Sequence, residues 1–276
     1  MPEILVLGGT GKTGRRVVQQ LAAQGVAVRA ASRRPAGRTT DGVRPVHFDW
    51  DDSATHAPAL AGVEAVYVVP PAFVLDATGH VPPFLKAVEA AGVPRAVLLS
   101  ARGVDADDAV PLRRIELALA GGGLGWSVLR PSWFAQNFTE GAFAPAVQAG
   151  VLAMPTGEGR EPFIDADDIA AVAVRLLLDP GLDGRAYDLS GPEAITFEQA
   201  ASVLAGALGR PVRFQHVSAD QWLEQTTAAG VPADYAAFLA AMLDGIRQGR
   251  DAHVSDGVRA VLGRPARSFE DWAATL

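Results

Sequence analysis

The sequence predicts an α/β fold, in which a doubly wound parallel sheet is followed by a smaller, mostly helical C-terminal lobe. Short runs of valine, leucine and isoleucine alternate with segments of helical period through the first two-thirds of the chain. Parallel strands joined by crossover helices produce this pattern. The runs are apolar throughout, as expected for strands buried on both faces. We predict strands at residues 3–7, 26–31, 44–48, 65–69, 96–100, 126–130 and 185–189.

The pattern changes after about residue 190. Residues 196–199 and 218–221 have the spacing of capping boxes, which begin helices, and residues 232–249 continue in helical period. One more strand is expected at residues 212–217. We therefore predict a main domain at 1–190 and a smaller lobe at 191–276 packed on it.

Composition excludes several classes of function. The chain has 276 residues, of which 49% are hydrophobic and 20% charged, as is typical of a soluble globular protein. A formal net charge of −7 argues against a nucleic-acid surface. The absence of cysteine excludes disulfides and thiolate nucleophiles. No apolar run reaches the roughly 18 residues of a membrane span and no basic leader precedes the first strand, so we expect a cytoplasmic protein without membrane partners.

A glycine-rich segment, Gly8-Gly-Thr-Gly-Lys-Thr-Gly14, lies between the first predicted strand and the first helix. Glycines at this spacing let the chain turn sharply, and let backbone N–H groups approach a pyrophosphate at the positive end of the helix. The position therefore predicts a Rossmann-type site for a nicotinamide dinucleotide. A loop for nucleoside triphosphates is excluded, because it needs a glycine where Val6 lies inside the strand.

The tip of the second strand indicates which dinucleotide is bound. NAD-selective sites carry a carboxylate there for the ribose 2′-hydroxyl, whereas this chain has Ser32, Arg33 and Arg34. Guanidinium groups bind a 2′-phosphate through charge-assisted hydrogen bonds, so NADP(H) is favoured over NAD(H). The alternative is that both arginines belong to a solvated basic loop that also contains Arg29, Arg38 and Arg44.

The residues of a standard carbonyl-reducing site are missing. None of the three tyrosines lies four residues before one of the two lysines, so a Tyr-x-x-x-Lys pair is impossible. The five histidines show no metal-ligand spacing, and no metal is expected. The sequence thus identifies no catalytic residue. Acidic residues at 105, 107 and 108 are interpreted as a solvated loop, and those at 165, 167 and 168 as a helix cap rather than a metal site.

Several segments together resemble the NmrA-like atypical short-chain dehydrogenase/reductase family over essentially the whole chain. Within that family the sequence is most similar to ergot-alkaloid-type iminium reductases and to NADPH:quinone and triarylmethane-dye reductases, which also lack the Tyr/Lys pair. The matching segments are Gly8 to Gly14, Ser32-Arg33-Arg34, Val69-Pro70-Pro71, Leu129 to Asn137 with its Arg-Pro-x-Trp-Phe-x-x-Asn pattern, and Phe163 to Ala170.

The resemblance implies a set of binding residues. The pyrophosphate would contact Thr10, Gly11, Lys12 and Thr13, the 2′-phosphate Arg33, and the adenine edge Asp49 and Trp50. The nicotinamide half would lie along Val69, Pro70, Ser100 and Pro131, and the substrate against Trp133, Phe134, Asn137 and Phe138. Many relatives carry lysine where this chain has Leu117, beside Glu116.

Structural alternatives exist for several of these positions. Trp133, Phe134 and Phe138 are equally explained as core residues. Ser100 is interpreted in preference as a strand terminus and Glu116 as part of a solvated helix.

Two functions are compatible with these features. The first is an NADPH-dependent oxidoreductase that transfers hydride to a small electron-poor or cationic acceptor, such as an iminium, a quinone or a dye. The second is a non-catalytic NADP(H)-sensing regulator that acts through a protein partner. The oligomeric state stays open.

Overall fold

The computed structural model describes residues 3–35 and 42–276, and the chain divides into two compact units. The first unit is drawn from Met1–Pro131, Ala166–Leu189 and Ala260–Gly263. The second is drawn from Ser132–Asp165, Ser190–Arg259 and Arg264–Leu276. The chain therefore leaves the first unit at residue 131 and returns at 166, whereas the sequence predicted a single boundary near 190.

The first unit contains a seven-stranded sheet in which every neighbouring pair of strands is parallel. The order is β3-β2-β1-β4-β5-β6-β9, which is the doubly wound arrangement with one additional strand at the β6 edge. The seven strands predicted from apolar runs are all confirmed. They are β1 (Glu3–Val6), β2 (Ala27–Ser32), β3 (Val43–His47), β4 (Ala65–Val68), β5 (Arg95–Leu99), β6 (Gly125–Pro131) and β9 (Arg185–Leu189).

Helices cover both faces of this sheet. On one face, α1 and α7 pack against each other and against the central strands. On the other face, side chains of α2, α3 and α4 share a buried cluster with alternate strand residues, among them Leu5, Val66, Leu98 and Val128. The helices of this unit are α1 (Gly14–Ala23), α2 (His56–Leu60), α3 (Val81–Ala90), α4 (Pro111–Ala120) and α7 (Ala166–Leu178).

The second unit combines helices with two short two-stranded sheets. Both predicted capping boxes are confirmed, since Thr196 and Gln199, and likewise Ser218 and Gln221, exchange reciprocal hydrogen bonds. The predicted strand at 212–217 is β11. The elements are α5 (Asn137–Glu140), α6 (Ala144–Ala149), β7 (Val151–Met154), β8 (Arg160–Glu161), β10 (Ile195–Thr196), α8 (Phe197–Leu208), β11 (Arg213–His216), α9 (Ala219–Ala228), α10 (Ala233–Arg247) and α12 (Phe269–Ala273), with α11 (Gly257–Leu262) crossing the boundary between units.

Segment 132–165 belongs to the second unit because its strands find their partners there. β7 pairs in parallel with β11, and β8 pairs antiparallel with β10. Both partners lie well downstream in the chain, and local periodicity carries no information about such distant pairing.

A search of residues 3–35 and 42–276 finds no helix with the length and apolar character that crossing a bilayer requires.

Helix α1 approaches the end of β1 very closely. A Cβ on Gly14 would come within 3.0 Å of the backbone of Gly8, and a Cβ on Gly9 would lie 3.0 Å from Cα of Ala30 on β2. Gly8 itself has a φ of 60°, in the left-handed region. Three positions of the turn therefore require glycine, each for a different steric reason.

We predict that Gly14→Ala destabilises the protein by about 1–3 kcal/mol, because its methyl group overlaps the Gly8 carbonyl. The measurement is the free energy of unfolding from urea titration. Gly206→Ala is the matched control: Gly206 lies in α8 with no atom within 4 Å of the added methyl group. Removing a helical glycine there stabilises by about 0.5–1 kcal/mol. Equal effects of the two substitutions would contradict the steric explanation.

Candidate cofactor site

The predicted cofactor residues lie along one edge of the sheet, because parallel strands all end at the same edge. The end of β1 is central, with β2 and β3 on one side and β4, β5 and β6 on the other. Ligands of doubly wound sheets bind at this edge, where the strand order reverses. In order along the edge are Asp49 and Trp50 after β3, Ser32, Arg33 and Arg34 at the end of β2, Gly8, Thr10, Gly11, Lys12, Thr13 and Gly14 after β1, Val69 and Pro70 after β4, Ser100 after β5, and Pro131 ending β6.

The glycine turn fits a pyrophosphate. It is pinned to the sheet by hydrogen bonds from Gly9 N to the Ala31 carbonyl (2.9 Å) and from Gly11 N to the Gly8 carbonyl (2.8 Å). Thr10 and Gly11 are exposed, and the first turn of α1 contains no acidic residue. An anion at this helix N-terminus would meet backbone N–H groups and the positive end of the helix dipole. The residues present therefore suit the diphosphate of a dinucleotide.

Arg33 and Arg34 are exposed at the end of β2. Two other arginines of the basic-loop alternative, Arg29 and Arg44, are bonded elsewhere. Arg29 is buried and donates to the Ala59 carbonyl (2.8 Å) and to Glu3 Oε2 (2.5 Å), and Arg44 donates to Glu3 Oε1 (3.1 Å). Arg38 lies outside the described residues. A common solvated loop is thus wrong for Arg29, while Arg33 and Arg34 remain at the position expected for a 2′-phosphate.

Asp49 and Trp50 follow β3 and are both half-buried. Thr55 and His56 hold the backbone of Asp49, whose carbonyl lies 2.9 Å from Nε2 of His56. The Trp50 indole packs edge-on against Phe84, with ring centroids 5.3 Å apart. This framework holds the two residues beside the end of β2; contact with adenine stays a prediction.

Val69, Pro70, Ser100 and Pro131 lie on the other side of the glycine turn. A Cβ at Gly8 would be 3.7 Å from Cβ of Val69, so the ends of β1 and β4 meet at the switch point. Ser100 N donates to the Leu129 carbonyl (2.8 Å), which extends the β5–β6 ladder past the end of β5. These positions offer two prolines, one valine and one hydroxyl toward the nicotinamide half.

A buried carboxylate accounts for the Ser100 hydroxyl. Ser100 and Arg130 follow Leu98 and Val128 by two residues, so both point to the face covered by α4, where Glu116 lies. Glu116 is 2% exposed. Its Oε1 accepts from Ser100 Oγ (2.5 Å) and Arg130 Nε (3.0 Å). Its Oε2 accepts from Arg130 Nη2 (2.7 Å) and Arg113 Nη1 (3.0 Å).

This arrangement determines the direction of the serine hydrogen bond. A carboxylate held by two guanidinium groups accepts hydrogen bonds only, so the single O–H of Ser100 is donated to Glu116. Hydrogen bonding to Glu116 also raises the pKa of the Arg130 guanidinium above its ordinary value. Arg130 Nη1 donates in turn to Asp105 Oδ2 (2.5 Å).

Two interpretations of the sequence are corrected here. Glu116 does not sit on a solvated helix face, and Ser100 does more than end a strand, because the two side chains are bonded to each other. Asp105 is exposed, as the solvated-loop interpretation expects, and it also pairs with Arg130. Leu117, the position of a lysine in many relatives, is 42% exposed, so it points away from this buried network.

Two signals in the sequence could have revealed the network. Arg130 is the one charged residue of β6, and a charge buried in a sheet requires a partner. Glu116 lies next to Ile115 and three residues before Leu119, so helical periodicity places it on the buried face of α4.

The four predicted substrate residues lie in the second unit. Phe138 is core: it is 1% exposed and packs against Phe143, Phe163, Phe197 and Phe269. The core alternative therefore holds for Phe138.

The other three substrate residues are half-buried. The Trp133 ring stacks on Phe143 with centroids 5.5 Å apart, and the Trp133 backbone N–H donates to Oε1 of buried Glu161 (3.1 Å). Phe134 forms a parallel bridge with Ile164. Asn137 begins α5. Their contact with a substrate stays a prediction.

The acidic group at 165, 167 and 168 divides into two structural roles. Asp165 is buried and accepts from Gln136 Nε2 (2.6 Å) and Arg267 Nη1 (3.1 Å). Asp167 and Asp168 occupy the first turn of α7, where their negative charge interacts favourably with the positive end of the helix dipole. The helix-charging interpretation thus fits 167 and 168, while Asp165 is a buried hydrogen-bond acceptor.

Comparison with known proteins agrees with this geometry. The model of a family described as NAD(P)H-binding matches residues 8–180, which contain the glycine turn and strands β2 to β6 of the large sheet. The chain belongs to this NmrA-like NAD(P)H-binding family. Its members bind the dinucleotide that the glycine turn suits.

Three members of the family illustrate the similarity. An oxidoreductase of Bacillus subtilis, YesF, is 38% identical over 98% of this chain and 94% of its own. The NAD(P)H azoreductase of Xenophilus azovorans is 34% identical over 98% of this chain and 96% of its own. The NADPH-dependent quinone oxidoreductase QOR2 of Escherichia coli, solved with NADPH, superposes with a TM-score of 0.83 at 25% identity, covering 99% of both chains.

We predict that Glu116→Ala lowers the free energy of unfolding by roughly 3–5 kcal/mol, because it leaves the Arg130 guanidinium buried without its main partner. Urea unfolding followed by tryptophan fluorescence measures the effect. Asp108→Ala is the matched control, since Asp108 is an exposed carboxylate bonded to Arg113 of the same network, and its loss should cost less than about 1 kcal/mol. Similar losses for both variants would show that burial of Glu116 is energetically unimportant.

Proposed function

We propose that this NAD(P)H-binding protein is an NADPH-dependent reductase that transfers hydride to a small acceptor that is already cationic or electron-poor. The observation that carries the proposal is the hydrogen bond from Ser100 to Glu116. Ser100 has the only side-chain hydroxyl among the four residues assigned to the nicotinamide half, and its proton is donated to Glu116 in this hydrogen bond. A carbonyl substrate would need such a proton on its developing oxyanion.

The other residues assigned to the nicotinamide half supply no proton either. Pro70 and Pro131 have no backbone N–H, and the Val69 side chain is apolar. Arg130 keeps its protons, because its pKa is raised and its guanidinium is bonded to Glu116 and Asp105. This part of the edge thus provides an apolar wall and hydrogen-bond acceptors.

Such an environment suits acceptors that need no acid from the protein. When bound, NADPH supplies the hydride. An iminium carbon is fully reduced by hydride alone, whereas a quinone or an azo group takes its remaining proton from water. The residues at the edge would hold the acceptor close and exclude competing water, which are the contributions expected of a protein in cofactor-dependent hydride transfer.

The names of the relatives support this class of acceptor. One is an azoreductase and another a quinone oxidoreductase, and azo compounds and quinones are electron-poor acceptors of the proposed kind. The exposed guanidinium groups of Arg33 and Arg34 support NADPH over NADH, because no carboxylate stands at the end of β2 to bind a free 2′-hydroxyl.

We predict that the double substitution Arg33→Ser and Arg34→Ser weakens NADPH binding by about ten- to hundredfold, with less than about threefold effect on NADH. Fluorescence titration with each nucleotide measures both constants. Arg175→Ser is the control for loss of positive charge, since Arg175 is an exposed arginine of α7 paired with Asp179. Equal weakening of NADH and NADPH would contradict 2′-phosphate recognition.

We further predict NADPH oxidation with iminium, quinone, azo and triarylmethane acceptors, and none with simple ketones or aldehydes. The loss of NADPH absorbance measures turnover. Turnover of ketones at comparable rates would contradict the proposed chemistry. Tight NADPH binding with no turnover of any acceptor would instead favour the sensing function, in which a protein partner responds to the bound nucleotide.

A further inference from the structure

Tyr67 is a fully buried tyrosine directly beneath the glycine turn. It is aligned with Val6 in the pairing of β4 with β1, and its carbonyl accepts from Leu7 N (3.0 Å). Val66 and Val68 face the cluster shared with α2, α3 and α4, so strand alternation points the Tyr67 side chain to the opposite face, which α1 and α7 cover. The ring therefore extends under the start of α1.

The Tyr67 hydroxyl makes no well-formed hydrogen bond with any residue of the described ranges. Burial raises its pKa far above the ordinary value, so the group stays a neutral donor. An interaction with the Thr13 side chain acts in the opposite direction and lowers the pKa of Tyr67, so the two side chains are neighbours. Burying a hydroxyl without a hydrogen-bond partner is unfavourable, so its retention needs an explanation.

Thr13 supplies the matching half of the arrangement. It is the N-cap residue of α1 and only 4% exposed, yet its hydroxyl makes no capping hydrogen bond. Its carbonyl accepts from Val17 N (3.0 Å), which holds the backbone of Thr13 in the helix. Two buried hydroxyls, neither of them in a well-formed hydrogen bond shown for it, thus lie near the point where α1 begins.

We propose that Tyr67 is a positioning residue for the cofactor: its hydroxyl donates to Thr13 Oγ1 and thereby directs the Thr13 proton at the pyrophosphate. The two hydroxyls together have two protons to donate. With no third group present, a hydrogen bond between them uses one proton and leaves the other without an acceptor. With an anion at the helix N-terminus, Tyr67 donates to Thr13 and Thr13 donates to the anion, so both donors are satisfied. Tyr67 itself does not touch the cofactor.

The proposal depends on NAD(P)H binding by the family and is independent of the hydride acceptor, so binding is measured without turnover. Calorimetric titration with NADPH is carried out on the full chain and on Tyr67→Phe, Thr13→Val, Thr13→Ser and the two double variants with Tyr67→Phe. We expect Tyr67→Phe to weaken binding about three- to tenfold. The same substitution should have no further effect when Thr13 is valine, but should keep its effect when Thr13 is serine.

Thermal unfolding without nucleotide separates positioning from general stability. Tyr67→Phe should leave the ligand-free Tm unchanged or raised, because it removes an unsatisfied buried hydroxyl. The matched control is Tyr187→Phe: the Tyr187 hydroxyl is part-buried on β9 and donates to the Leu182 carbonyl (3.0 Å). Its removal should lower Tm and leave the Kd for NADPH within about twofold.

Three results would overturn the proposal. The first is an unchanged Kd in Tyr67→Phe. The second is an equal loss of affinity from Tyr67→Phe in the native and Thr13→Val backgrounds, since independent effects add. The third is a lowered ligand-free Tm in Tyr67→Phe, which would make the tyrosine hydroxyl a structural group.

Discussion

The closeness of α1 to the end of β1 is the constraint on which the rest of the site depends. The helix begins so near the strand that Gly14 has no room for a Cβ beside the Gly8 carbonyl. This contact brings the N-terminus of α1, with its backbone N–H groups, to the edge of the sheet. An anion bound there interacts with the backbone N–H groups and the helix dipole together. Water offers an anion no such fixed arrangement of donors and dipole. The strands on either side then determine which residues lie near the adenosine half of a dinucleotide and which lie near the nicotinamide half.

The second constraint is the burial of Glu116. Removing a carboxylate from water is costly, so it persists only where several donors surround it. Ser100, Arg113 and Arg130 provide those donors from two strands and one helix. The consequence for chemistry is a hydroxyl whose proton is already engaged. A residue that stabilises the fold thereby limits what the neighbouring edge can do to a substrate.

Much of the first unit could be predicted from local patterns. Apolar runs identified every strand of the large sheet, since strands buried on both faces need no alternation. The capping boxes at Thr196 and Ser218 were equally local, because both partners lie within four residues. Local patterns failed at residues 132–165, whose strands pair with β10 and β11, and at Glu116, whose partners Ser100 and Arg130 are 16 and 14 residues away.

Residue types and short spacings are enough to predict the order of strands and helices, the glycine turn, the arginines at the end of β2 and the absence of a Tyr-x-x-x-Lys pair. The chain carries these features before it folds. The packed structure is needed to show that Glu116 is buried, that the Ser100 proton points inward and that the buried Tyr67 hydroxyl lacks a well-formed hydrogen bond. Hydrogen-bond direction and burial depend on which distant residues are brought into contact, and that information exists only once strands and helices have packed.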